Sequence, residues 1–218
     1  MKKRCAEEAL KYIKNNSIIG LGGGATIAFL IDFIKEAELN VKIVTPSFQT
    51  EKLCIEKGLN ILPLWSVNHI DIAFDGCDEV DYNLNALKSG GAIHTKEKIT
   101  AKMADEYILL VDESKVSEKL TFNHPVVLEI FKESIGYVER EIRKLNGEPV
   151  LRKSSKDGLM ISDNGLIIMD IYFKNVDDIQ ALHNNLLNIT GVADISLFCN
   201  TVTKALVVSE NGFKLISK

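Results

Sequence analysis

Cysteine is sparse in this 218-residue chain, and its four copies, Cys5, Cys54, Cys77 and Cys199, form no C-x-x-C pair. That spacing excludes a zinc site or a disulfide framework and predicts four reduced thiols. No stretch approaches the ~18 uninterrupted apolar residues of a membrane span. The N-terminal segment MKKRCAEEALKYIK scatters its charges and lacks the apolar core of a signal peptide, so a cytoplasmic protein with no membrane partner is expected. A basic excess is missing too: 26 Lys and Arg against 30 Asp and Glu leave a formal net charge of −4. Nucleic acid is thereby excluded as a general partner, and any anion site must come from a local cluster of residues. Neither an internal repeat nor a low-complexity tract is present.

What is there is an ordinary globular composition, 46% hydrophobic and 26% charged, in a chain long enough for one domain or a domain with a smaller companion. Ala6, Ala9, Leu10 and Ile13 recur at helical spacing and predict an opening amphipathic helix over 5–13. Short apolar runs at 17–21, 41–44, 60–64, 70–74 and 107–111 alternate with helical segments at 25–34, 49–56 and 96–103, the pattern of a mostly parallel sheet. Ser47 is placed to cap the second of these helices, and Lys57-Gly58 to close it. After Phe122 the order changes to strand 126–130, helix 133–145, strands 149–153 and 166–173, helix 177–187 and strand 192–198. That βαββαβ order is a ferredoxin-like unit. The apolar run 205–208 is expected to return to the first domain. The fold class expected is therefore α/β: a Rossmann-like, mostly parallel catalytic domain, residues 1–122 and 199–218, with an inserted ferredoxin-like α+β domain at 123–198.

Chemistry-bearing residues concentrate in one stretch, DGCDEVDYNLNALKSGGAIHTKEK. The buried strand 70–74 ends at Asp75-Gly76, which delivers a carboxylate to the carboxyl edge of the sheet, where open α/β folds bind ligands. Asp78 follows around a turn, Lys88 after a polar loop, and Gly90-Gly91 lets a backbone approach a ligand closely. Thr95 is placed to cap a helix carrying Glu97 in its first turn. Singly, each of these is an ordinary turn, solvated charge or dipole-complementing carboxylate. Together they supply a carboxylate base and a cation near developing negative charge, which is what proton transfer on a small charged molecule needs.

A second cluster is the turn Gly22-Gly23-Gly24-Ala25-Thr26, where a strand passes into a helix and exposes backbone N–H groups as an anion site. Gly20-x-Gly22-x-x-Ala25 also satisfies a loose dinucleotide fingerprint. The next strand ends in Thr45-Pro46-Ser47, without the carboxylate that would hold a ribose hydroxyl, so a nicotinamide reading is set aside.

DGCDE, KSGGA and KEKI, in that order and spacing, resemble the DGADE, KGGGA and REKI blocks of the ribose-5-phosphate isomerase A family, and the resemblance extends over essentially the whole chain. It implies a cofactor-free, metal-free aldose–ketose isomerase of the pentose phosphate pathway, acting on a small-molecule sugar phosphate as a homodimer or homotetramer. By resemblance Glu97 is the proton-shuttling base, and Asp75, Asp78 and Lys88 assist ring opening and stabilise the enediolate; which aspartate opens the ring stays open. Substrate contacts are implied for Gly23, Gly24, Ala25, Thr26, Asp75, Gly76, Cys77, Asp78, Lys88, Ser89, Gly90 and Gly91, and for Lys115, which the family's DxSK segment places at the substrate. The chain departs from the family pattern at Gly23 and Ala25, which lack the family's hydroxyls, and at Cys77, Ser89 and His94. His94 is expected to be a packed or solvated side chain. Two other readings are an amino-sugar-phosphate deaminase on the related fold and a sugar-phosphate-sensing regulatory domain. The first leaves the match at DGCDE, Lys88 and Glu97 without a reason. The second usually needs an N-terminal helix-turn-helix, for which the sixteen or so residues before the first strand are too few.

Overall fold

The computed structural model describes residues 1–217. Its first half runs α1 (Lys2–Leu10), β1 (Ile18–Leu21), α2 (Ala25–Glu36), β2 (Lys42–Val44), α3 (Phe48–Glu56), β3 (Asn60–Ile61), β4 (Ile70–Asp75), β5 (Glu79–Asp81), β6 (Ala86–Leu87), α4 (His94–Met103), β7 (Ala104–Asp112) and β8 (Val116–Ser117). The second half runs β9 (Val126–Ile130), α5 (Ile135–Lys144), β10 (Glu148–Leu151), β11 (Ile167–Tyr172), α6 (Ile179–Leu187), β12 (Val192–Ile195), β13 (Leu197–Phe198), β14 (Lys204–Ser209) and β15 (Gly212–Ser217).

Seven strands form the main sheet in the order β15-β14-β7-β4-β1-β2-β3, parallel except for the closing hairpin of β14 and β15. Its central strands β1, β4, β7 and β14 are mostly buried, as parallel strands covered on both sides must be, while the edge strands β3 and β15 are more exposed. On β7, Ile108 and Leu110 pack toward α1 and α2, while Tyr107, Leu109 and Val111 join the opposite cluster with Ala101 of α4. From β1 the chain moves outward to β2 and β3 and then returns to place β4 on the other side of β1. The crevice beyond the carboxyl ends of β1 and β4 is therefore the topological switch point, where such sheets bind ligands.

A second, antiparallel sheet in the order β10-β11-β9-β12 carries α5 and α6 and has its own apolar cluster, including Leu128, Val138, Ile142, Met169 and Leu186. The apolar run at 205–208 lies in β14, beside β7 in the main sheet. The fold is thus the expected α/β class, a mostly parallel main sheet with smaller antiparallel sheets.

Several elements differ from the sequence reading. The strand expected over 60–64 stops at Ile61, because Pro63 has no N–H to give a ladder and a 3-10 turn follows at Leu64–Ser66. The strand expected over 192–198 breaks at the fully buried Ser196. Ser196 N–H donates to the Val127 carbonyl, its hydroxyl oxygen accepts from Val127 N–H, and its own carbonyl accepts from Lys88 N–H. Beyond it β13 leaves the second sheet and pairs with β6 in a third, small sheet, β13-β6-β5-β8, which the sequence reading did not anticipate. Its strands are two or three residues long, too short to show a period of two.

Candidate active site

Asp75 closes β4 and is 3% exposed. Its position depends on a missing side chain in the adjacent strand end: a Cβ on Gly22 would lie 2.0 Å from Asp75 Oδ1. Three groups donate to the carboxylate. Gly76 N–H reaches Oδ1 at 2.8 Å, and Tyr107 Oη and Lys88 Nζ reach Oδ2 at 3.0 Å each. Lys88 Nζ also donates to the Gly76 carbonyl and lies 3.3 Å from Glu97 Oε1, so one buried ammonium bridges the two carboxylates.

Burial sets the charges here. It works against the Lys88 ammonium, but Asp75 and Glu97 outweigh it and raise its pKa, so Lys88 stays charged. Glu97 is pushed up to about 8, first by desolvation and further by Asp75, with Lys88 pulling in the opposite direction. A carboxyl group poised near neutrality beside a fixed cation is suited to taking up and returning a proton. Burial pushes the Cys77 thiol up to about 12, which rules out a resting thiolate.

Glu97 owes its placement to α4, whose first turn is secured differently from expectation. The helix begins at His94, the residue before it, Ile93, makes no side-chain cap, and Thr95 lies inside the helix. The Thr95 hydroxyl instead donates to Glu129 of β9, a fully buried carboxylate that also accepts from Asn164 Nδ2 at 3.2 Å. Once a residue takes helical dihedrals its side chain no longer reaches back over the free N–H groups, and here an acceptor from another sheet claims it. His94 is buried with its pKa pushed down to about 4 by desolvation, so it is a neutral packed side chain.

The crevice holds a cavity of about 660 Å3. It brings together Gly23, Gly24, Asp75, Gly76, Cys77, Asp78, Lys88, Gly90, Gly91, Glu97 and Lys115 on its wall. Asp78 accepts from Ser89 N–H at 2.6 Å through Oδ2, and Lys115 Nζ donates to the Cys77 carbonyl at 2.7 Å. Ala25, Thr26 and Ser89 are not on the wall. Ala25 faces a smaller hollow between α2 and α3, and the Ser89 hydroxyl donates to the Pro125 carbonyl at 2.6 Å. Gly24 has a φ of 95°, which favours glycine, and leads into α2, while Ser47 caps α3 through Thr50 N–H at 3.3 Å. Two helix N-termini thus open on one cavity, a favourable setting for an anion. The sequence reading missed Tyr107 and the wall residues Phe48, Gln49, Ile93 and Asp163. Tyr107 sits in an uninterrupted apolar run, where nothing local marks it as a partner of Asp75.

An arrangement that opens two helix N-termini on one cavity and sets a near-neutral carboxyl against a lysine is suited to moving protons within a small charged substrate. The class it defines is an α/β acid–base enzyme of the sugar-phosphate isomerase kind. Comparison with known proteins is specific: residues 42–212 match the family model for ribose 5-phosphate isomerase A (phosphoriboisomerase A). The chain belongs to that family. It is 38% identical to the ribose-5-phosphate isomerase A of Pyrococcus abyssi, over all of this chain and 98% of the relative, and 37% identical to that of Thermosynechococcus vestitus, over 95% and 90%. Among solved structures, ribose 5-phosphate isomerase A from Methanocaldococcus jannaschii superposes with a TM-score of 0.92 at 36% identity, over all of this chain and 98% of the other. A D-ribose-5-phosphate isomerase in complex with phospho-erythronic acid superposes with a TM-score of 0.93 at 35% identity, over 100% and 97%.

Proposed function

We propose that this ribose-5-phosphate isomerase interconverts D-ribose 5-phosphate and D-ribulose 5-phosphate through an enediolate, with Glu97 as the single base that shuttles the proton. The observation that carries the reading is the contact of 3.3 Å between Lys88 Nζ and a Glu97 carboxyl raised to about 8, both on the cavity wall. The Glu97 carboxylate removes the proton from C2 of the open aldose, and the electron pair forms the C1–C2 double bond as charge moves onto O1. Glu97 then returns the proton to C1, C2 becomes the carbonyl, and the hydroxyl proton passes from O2 to O1. Lys88, already charged and held in place, meets the growing oxyanion without reorganising.

The two aspartates divide the remaining work. Asp75 is occupied by three donors and serves to fix Lys88. Asp78 is half-buried on the wall and, among the described residues, has Oδ1 free of protein donors, so it is the one able to accept the ring hydroxyl proton during opening. The phosphate takes the end of the cavity where α2 and α3 begin, at Gly23 and Gly24. The relative solved with phospho-erythronic acid supports a phosphorylated sugar acid as a fitting ligand class.

Steady-state kinetics of Glu97→Gln test this. Loss of the base is expected to lower kcat by ~10²–10⁴-fold while phospho-erythronic acid still binds. Retention of more than about a tenth of kcat, well above that range, would remove Glu97 from the mechanism.

A further inference from the structure

The loop after Lys88 is held from behind by a residue of the second sheet. Arg152 follows β10, and its backbone is fixed by pairing with Ile168 and Met160. Its side chain grips Asp170 of β11, with Nε 3.1 Å and 2.9 Å from the two carboxylate oxygens and Nη2 on Oδ1 as well. The far edge of the guanidinium reaches across to the loop. Nη2 donates to the Ser89 carbonyl at 2.8 Å and Nη1 to the Gly90 carbonyl at 3.2 Å. Arg152 itself is not on the cavity wall, whereas Gly90 and Gly91 are.

The peptide bonds here are trans, so each N–H points opposite to the carbonyl of the preceding residue. With the Ser89 and Gly90 carbonyls drawn toward Arg152, the Gly90 and Gly91 amides face the other way, toward the cavity. Among the described residues neither amide has a protein acceptor. A Cβ on Gly90 would meet no atom within 4 Å, so protein packing is not what requires glycine there. Successive free N–H groups on a glycine loop form a concavity that fits an oxyanion.

We propose that Arg152, anchored by Asp170, is a positioning residue for catalysis. By holding two successive carbonyls it presents the Gly90 and Gly91 amides as paired donors to the substrate oxygen that gains charge in the enediolate. The inference rests on the isomerase reading above. It assigns the loop to the reacting end of the sugar, next to Lys88, and not to the phosphate. Only a planar fork does this work: a lysine at the same place keeps the charge opposite Asp170 but cannot hold two carbonyls and a carboxylate in one plane.

Arg152→Lys is therefore the decisive variant. Removing one oxyanion donor costs about 10²–10³-fold in kcat, so misaiming two is expected to lower kcat at least about tenfold. KM for ribose 5-phosphate should move less than about threefold, because the phosphate contacts are untouched. Affinity for phospho-erythronic acid, whose carboxylate places charge at the reacting end, should fall in step with kcat/KM, while Tm stays within a few degrees of the parent. Arg152→Gly gives a second measurement, in which millimolar guanidinium restores part of kcat and ammonium at equal concentration does not. Parental kcat in Arg152→Lys overturns the proposal, as does a rise in KM that matches the fall in kcat with a lowered Tm, or equal rescue by both cations. Run beside Glu97→Gln, the two assignments separate. Activity retained in Glu97→Gln removes the base, whereas parental kinetics in Arg152→Lys removes only the positioning role.

Discussion

The chemistry of the site comes down to three side chains that burial has forced to share charge. Glu97, left to desolvation alone, would be a neutral acid; Lys88 pulls its pKa back toward the working range, and Asp75 keeps Lys88 charged. A consequence follows for the pH profile. With a folded pKa of about 8, Glu97 is mostly protonated in the free enzyme at pH 7, so the proposed base role predicts activity that rises with pH as it ionises. We expect kcat/KM, which reports the free enzyme, to level off above pH 8 and to fall about tenfold per pH unit below it. The substrate phosphate titrates near ~6, so its effect appears as a separate, lower step. A profile flat from about pH 6 to about pH 9 would show that Glu97 ionises at an ordinary carboxylate pKa or is not the base. Of these residues Asp75, Lys88 and Glu97 stand out in the sequence, because acid and base types crowd one short stretch. Tyr107 does not, since its hydroxyl gains meaning only from a strand neighbour 32 residues away.

At the scale of elements, the β1–α2 turn shows how a glycine pattern reads correctly for more than one reason. Gly22 is required by the Asp75 carboxylate beside it, Gly24 by its positive φ, and Gly23 by neither, since a Cβ there would rest 3.4 Å from Ser47 Oγ in ordinary contact. Gly22→Ala should therefore displace Asp75 and loosen Lys88. The expected result is a loss of about 1–3 kcal/mol in unfolding free energy and at least a tenfold fall in kcat, measured by denaturant melts and turnover. Parental activity in Gly22→Ala would mean that Asp75 is free to move without cost. Helix α4 gives the opposite lesson. Its presence was legible from the pattern, but it starts at His94 with Thr95 inside it, and its securing contact was not legible, because Glu129 lies 34 residues from Thr95 and reaches it only when the second sheet packs over the helix. Strands β5, β6 and β8 escaped the sequence reading for a related reason: segments of two or three residues are strands only because a partner is present.

Across the whole molecule, the carboxylates and lysines of the cavity wall come from the ends of main-sheet strands, from α4 and from the loops between them, and none of these groups depends on sulfur. All four thiols are buried, and desolvation pushes Cys5 and Cys54 up to about 11 and Cys77 to about 12. Among the described residues no group of three or more His, Cys, Asp or Glu side chains is placed to hold a metal, and no helix is long and apolar enough to cross a membrane. Turnover is expected to survive exhaustive EDTA and a small alkylating reagent at neutral pH. Inactivation by EDTA reversed by one divalent metal, or inactivation tracking alkylation of Cys77, would contradict this. By itself the sequence determined the alternation of strands and helices, the two glycine-bearing loops and the crowding of the carboxylates and lysine that line the cavity, because periodicity, turn chemistry and strand-end placement are local properties. Tertiary structure alone decided which charges are buried together, that Tyr107 and Gly22 shape Asp75, that Glu129 holds α4, and that Arg152 holds the loop at Ser89 and Gly90 across more than sixty residues of chain. These contacts and the pKa of Glu97 depend on desolvation and on the meeting of distant elements, which no local pattern encodes.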